Sequence, residues 1–305
     1  IEPDLTSYDY GSPIGEHGNL TQEYFEYRDI IKNALSPDAQ VPEPPTTPAT
    51  MEIAAFTPQK QAAFGSYFTA MAPSHLEPPT LEALGQNQGM AVYRSSLPAG
   101  PEATLHCRVH DMAQVYVGGE YVGSINRMKG QHSIRIPARS ETQPLQIVVD
   151  TFGHINFHHK MERDNNGIVE AVTLDGAPVQ GWKVSLLPLK DVPKPHHVKF
   201  GGVLRLKQSQ SGCFKAEVQL DKVADTFLDM SAWAKGYVWV NGHLLGRYWS
   251  LGPQQRLYCP AEWLKEGANE VFVLDTHRTE PAPIRGCTER NTEVLMDTEN
   301  ANNVW

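Results

Sequence analysis

At 305 residues the chain is long enough for two or three compact domains, because single cores stop growing near about 250–300 residues. Its formal net charge of −9 would repel a phosphate backbone and no Lys/Arg-rich stretch offsets it, so nucleic acid is not an expected partner. No run of about eighteen apolar residues occurs and the first residues, Ile1 to Gly11, have neither the charged nor the apolar region of a signal peptide, so a soluble chain away from membranes is expected.

Residues 1–35 end in one convincing helix: Thr21 is placed to cap it, Glu23 suits its first turn, and Tyr24, Tyr27, Ile31 and Leu35 recur on one face. Ser36 to Pro48 then holds five prolines, which cannot sustain a helix or a central strand and predict an extended connector. The stretch 36–87 is read as this linker with a strand or strands added to the domains that follow. From about residue 88 the pattern changes to short β-branched and aromatic runs between Gly, Pro and Asn, such as Met90–Tyr93 and Leu145–Val149. That is the pattern of a β-sandwich, and it lacks the eight helices a complete (β/α)8 barrel requires.

An internal repeat sharpens the division. Gln114 to Gly123 aligns with Tyr237 to Gly246, and in each copy alternating side chains lead to a pair, Gly118-Gly119 or Asn241-Gly242, suited to the positive φ angles of a type I′ hairpin turn. A second match, Ile147 to Thr151 with Phe272 to Thr276, follows. Two sandwiches are expected, at 88–190 and 191–305. The four cysteines are far apart without CxxC pairing, so no zinc site is suggested and one disulfide stays open. The sequon Asn19-Leu20-Thr21 reads as a chance occurrence.

The second hairpin runs on as Lys235-Gly236-Tyr237-Val238-Trp239-Val240-Asn241-Gly242-His243-Leu244-Leu245-Gly246-Arg247-Tyr248-Trp249, then Gly252-Pro253-Gln254. This string resembles a hallmark of glycoside hydrolase family 35 β-galactosidases. Thr6 to Ile14 resembles the segment that closes that family's catalytic barrel, although Gly11 stands where the family usually has Asp. Val92-Tyr93-Arg94, Val109-His110-Asp111 and Gly153 to Phe157 extend the likeness along the chain.

The resemblance implies a mainly β fold, two galactose-binding-like jelly-roll β-sandwiches preceded by the last helix of a (β/α)8 barrel. It implies an enzyme that releases terminal β-linked galactose with retention, using two carboxylates about 5–5.5 Å apart. In the family both are glutamates upstream of the segment matched by Ser7-Tyr8-Asp9-Tyr10, so no catalytic residue is assigned here and the chain alone is expected to be inactive. The implied partners are the upstream barrel, in the same polypeptide or a companion chain, and a β-galactoside substrate. No cofactor or metal is implied, and the compartment is extracellular, periplasmic or lysosomal. The family's second tyrosine in this segment lines the galactose pocket and maps onto Tyr10, with Tyr8 as a second candidate; the competing reading is that both only plug the barrel end.

Other residues have bland readings beside the sharp ones. Tyr237, Trp239, Tyr248 and Trp249 could stack on a sugar, but Trp amid strand alternation more often packs. His154, His158, His159 and the pair His196-His197 lack carboxylate or cysteine spacing for a metal and read as solvated loop residues. Asn269-Glu270 is the only Asn-Glu pair, the context of the family's acid, yet it opens a strand instead of ending one. A second reading of the whole, from another class, is a stand-alone carbohydrate-binding or architectural β-module.

Overall fold

The computed structural model describes residues 5, 7–9, 11–36, 38–68, 74–195, 206–207 and 209–291. The chain forms two compact units, one from the described residues of 61–213, the other from those of 5–60 and 214–291.

Helix α1 (Gln22–Ala34) and strands β1 (Ile53–Phe56) and β2 (Gln59–Lys60) belong to the second unit. The first unit contains β3 (Met90–Leu97), β4 (Ala103–His106), β5 (Val109–His110), β6 (Met112–Val117), β7 (Glu120–Asn126), β8 (Ser133–Ile136), β9 (Gln143–Asp150), β10 (Gly167–Ile168), β11 (Thr173–Leu174), β12 (Ala177–Pro178) and β13 (Lys183–Leu187). Next come β14 (Gly212–Leu220), β15 (Thr226–Asp229), β16 (Lys235–Val240), β17 (His243–Trp249), β18 (Arg256–Cys259), β19 (Gly267–Asp275) and β20 (Ile284–Cys287).

Each unit is an antiparallel sandwich. In the first, a five-stranded sheet β13-β3-β9-β6-β7 faces a four-stranded sheet β12-β11-β4-β8; in the second, β2-β14-β19-β16-β17 faces β1-β20-β15-β18. The orders coincide strand for strand, and the spacing is constant: β4, β6, β7 and β8 recur 123 residues on as β15, β16, β17 and β18 with identical lengths. The duplication is real down to its irregularities. Both hairpins slip register at the same point, between Val115 and Tyr116 and between Val238 and Trp239, opposite Gly123 (φ 152°) and Gly246 (φ 137°). Both tips have positive φ at both central residues, Gly118 and Gly119 in one and Asn241 and Gly242 in the other, as a type I′ turn demands.

One difference is topological. The last two sheet positions are filled in the first sandwich by β12 and β13, which follow it in sequence, but in the second by β1 and β2, which precede the first sandwich. The second sandwich is therefore discontinuous in sequence, closed by residues 53–60.

Each core is apolar and drawn from both sheets. Leu105, Ile136, Val115, Ile147, Val149, Tyr93 and Trp182 meet in the first. Leu228, Leu257, Ile284, Phe214, Val238, Val273 and Tyr248 meet in the second. Burial of each such side chain contributes about 1.5–3 kcal/mol, which is what fixes the alternation along the strands. All four cysteines are free, three of them buried, so the open disulfide does not form.

Candidate functional site

The segment before α1 is where the sequence places its site residues. Tyr8 is 81% exposed, while Tyr10 lies outside the described residues. The residue between them is the anchor. Both carboxylate oxygens of Asp9 accept from Arg290 Nη1, at 2.8 and 2.7 Å, and Oδ2 also accepts from the Glu16 backbone N–H at 2.8 Å. Burial by itself raises the Asp9 pKa, but these hydrogen bonds and the Arg290 charge outweigh it and hold the carboxyl below its usual value. Glu16 moves the other way, raised first by burial and then by the neighbouring Asp9 charge.

The segment then turns at Gly11 (φ 68°), and His17 sets its ring edge-on to Phe227 at 5.4 Å. Burial lowers the His17 pKa, so a neutral ring is favoured against that aromatic surface. Nearby, Asp225 accepts from the Tyr258 hydroxyl (2.9 Å) and the Ala261 N–H (2.8 Å). A carboxylate so fully engaged as Asp9 cannot serve as a proton donor; it positions the strap that carries Tyr8. Nothing in its spacing distinguishes Asp9 from other acids, because its partner Arg290 is 281 residues away.

Thr21 does not cap α1. Its hydroxyl donates to the Ser12 carbonyl at 2.9 Å and so ties the helix start to the strap. Along α1, only Arg28 is buried, held by the carbonyls of Pro42 and Val41. The apolar residues Phe25, Tyr27, Ile30 and Ile31 are 47%, 50%, 64% and 52% exposed.

The first unit holds a buried ionic network. Arg127 bridges Asp111 (2.8 Å) and Asp164 (3.2 Å), and their second oxygens accept from the backbone N–H groups of Phe152 (2.6 Å) and Ile155 (2.8 Å). His110 joins it through Asn165 O (2.6 Å), and burial followed by the Arg127 charge lowers its pKa. His154 is exposed and also pairs with Glu82 (2.9 Å), which accepts from the Asn166 N–H as well. These bonds pin both ends of the loop whose outer residue, Phe157, is 91% exposed. The rings of His158 and His159 lie against each other at a tilt (4.0 Å, 35°), and His196-His197 lie outside the described residues. Among the described residues no group of three or more His, Cys, Asp and Glu side chains is placed to hold a metal ion.

The aromatic string is packing. Tyr237, Trp239, Tyr248 and Trp249 are all buried; Tyr248 sits in the core beside Trp233, and Trp239 packs against Tyr237 and Phe272 on the other face of the sheet. Asn269 is a turn bracket, accepting from Asn241 Nδ2 and the Lys265 N–H while donating to the Lys265 and Gly267 carbonyls. Glu270 pairs with Lys215 at the surface.

Residues 78–190 match the family described as "Beta-galactosidase, first all-beta domain", and residues 212–269 the one described as "Beta-galactosidase, galactose-binding domain". The chain is a C-terminal portion of the β-galactosidases. A β-galactosidase of Xanthomonas manihotis is 30% identical over 260 residues, covering 84% of this chain and 42% of that protein. Beta-galactosidase 17 of Arabidopsis thaliana is 31% identical over 313 residues (90% and 44%), and the Bos taurus β-galactosidase 30% over 303 (90% and 45%). The β-galactosidase chain described here thus spans less than half the length of the curated relatives it matches.

Proposed function

We propose that this chain is the β-domain portion of a retaining, family 35-type β-galactosidase that hydrolyses terminal non-reducing β-D-galactose. It contributes scaffold and a pocket tyrosine, Tyr10, with Tyr8 beside it, while the two catalytic glutamates come from an upstream (β/α)8 barrel. The observation that carries this reading is the uncovered apolar side of α1. Tyr27, Ile30 and Ile31, each half exposed or more, share one side of a thirteen-residue helix, with Phe25 exposed on another; they call for a partner surface, which the last helix of a barrel would find on the barrel's neighbouring helices. Phe157, held out on its pinned loop, is a second apolar contact available to such a partner.

In this reading the Arg290–Asp9 clamp fixes the strap at the barrel rim, where barrel enzymes gather their chemistry. A phenol at Tyr10 donates to a sugar hydroxyl or to the nucleophilic carboxylate while its ring packs on the pyranose. The test is Tyr10→Phe in the barrel-containing protein. We expect fold and Tm to be kept and kcat/KM to fall by about tenfold to a hundredfold, the worth of one hydrogen bond to a charged partner, with Tyr8→Phe doing less. Unchanged kcat/KM in Tyr10→Phe, with lost stability in Tyr10→Ala, would make the tyrosine a packing plug.

A further inference from the structure

The two sandwiches match position for position, and that match exposes one corner where they part. In the second, the hairpin tip at Asn241-Gly242 is closed over the opposite sheet: His243 stacks flat on Trp263 (4.8 Å, 10°), and Asn241 Nδ2 donates to the Trp263 carbonyl. Trp263 also packs on the second core. In the first sandwich, β8 continues as Pro137-Ala138-Arg139-Ser140 where β18 continues as Pro260-Ala261-Glu262-Trp263, 123 residues on. Trp263 is thereby replaced by Ser140 and His243 by Glu120. The plug is gone. A cleft of about 580 Å3 stands at that corner, lined among others by Glu102, Glu120, Tyr121, Arg135, Ser140 and Lys207.

The chemistry of the lining selects a ligand class. Tyr121 is half-buried, its ring braced by its cross-strand neighbour Tyr116 at 5.5 Å, and its hydroxyl has no partner among the described residues. Two of the three lining cations are ion-paired: Arg135 with Glu102 (2.8 Å) and Lys207 with Glu120 (3.2 Å). Arg139 is buried and turns Nε and Nη1 to the carbonyls of Pro98 and Pro137. An anionic ligand would therefore meet two carboxylates beside cations that already donate to carboxylate or carbonyl oxygens. A neutral polyol ring meets acceptors, donors and a braced aromatic face at once, since each hydroxyl both donates and accepts. The volume suits one or two pyranose rings, within the size range of small-molecule sites.

We infer that this cleft is a non-catalytic binding site for a neutral sugar ring on the first sandwich. It does not depend on the catalytic reading, because it needs no residue outside 98–207. The two exposed ion pairs limit the affinity to the weak range usual for solvated polar sites.

The test uses the 305-residue chain itself, with saturation-transfer NMR and titration against D-galactose, methyl β-D-galactoside, D-glucose and D-galacturonate. We expect millimolar binding of at least one neutral sugar and none of the uronate. Tyr121→Ala should weaken binding by about tenfold or more. The double variant Glu120→His with Ser140→Trp, which copies the plug of the second sandwich, should abolish it while leaving Tyr121 in place and far-UV circular dichroism unchanged. No binding of any neutral sugar, equal binding by the plugged variant, or a preference for the uronate would overturn the proposal.

Discussion

At Gly236 the Lys-Gly step of the recognisable string has a steric cause. A Cβ there would strike the Leu274 carbonyl oxygen of the adjacent strand and come within 2.6 Å of the Tyr248 hydroxyl, which itself bonds the buried Asp275. Backbone does not yield as a flexible side chain would, so Gly236→Ala should cost about 1–3 kcal/mol or more in chemical denaturation. A loss below about 0.5 kcal/mol would show that the strands separate freely there. Asp9 makes a second prediction at this scale. Its pKa is held below the unfolded value, so its contribution is present above about pH 4 and is lost as pH falls through the folded value. Asp9→Asn should destabilise by about 1–3 kcal/mol at neutral pH, since a charged acceptor is replaced. The gap to the parent chain should narrow on acidification; a gap that widened would mean that Arg290 is not its partner.

At the scale of elements, the network around Arg127 and the open face of α1 behave differently. Asp111 and Asp164 have side chains only 1% and 2% exposed, so Arg127→Ala strands two buried carboxylates and should cost about 3–5 kcal/mol. The measurement is thermal or urea unfolding of the isolated chain. Ile31→Glu, by contrast, should leave the isolated chain within about 0.5 kcal/mol of the parent, because Ile31 is half exposed. In the barrel-containing protein the same change should destabilise markedly, since it buries an unpaired charge. Equal effects in both would remove the argument for a partner on that face.

This is also the scale at which sequence and structure can be compared. The hairpins were legible because Gly118-Gly119 and Asn241-Gly242 interrupt alternating runs, a local signal with a local cause. The anchor was not, because neither Asp9 nor Arg290 is distinctive without the fold that brings them together. A strand or strands added from 36–87 were legible, but not which sandwich takes them, since β2 is two exposed residues and β1 is four residues with two exposed. The capping role read into Thr21 failed for a related reason: its hydroxyl found the Ser12 carbonyl, nine residues back, in place of a helix N–H.

At the scale of the whole molecule, the two sandwiches supply packing, turn brackets and surface ion pairs. Asn269-Glu270, the one dipeptide in the context of the family's acid, is split between a buried turn bracket and a surface ion pair with Lys215. Retaining hydrolysis requires two carboxylates about 5–5.5 Å apart across the scissile bond, and losing such a group typically removes several orders of magnitude of rate. The most direct measurement is therefore the hydrolysis of an aryl β-galactoside by the purified 305-residue chain, run beside the barrel-containing protein. The account predicts background rates for the first and turnover for the second. Turnover that co-purifies with the isolated chain and vanishes in Glu270→Gln would contradict it.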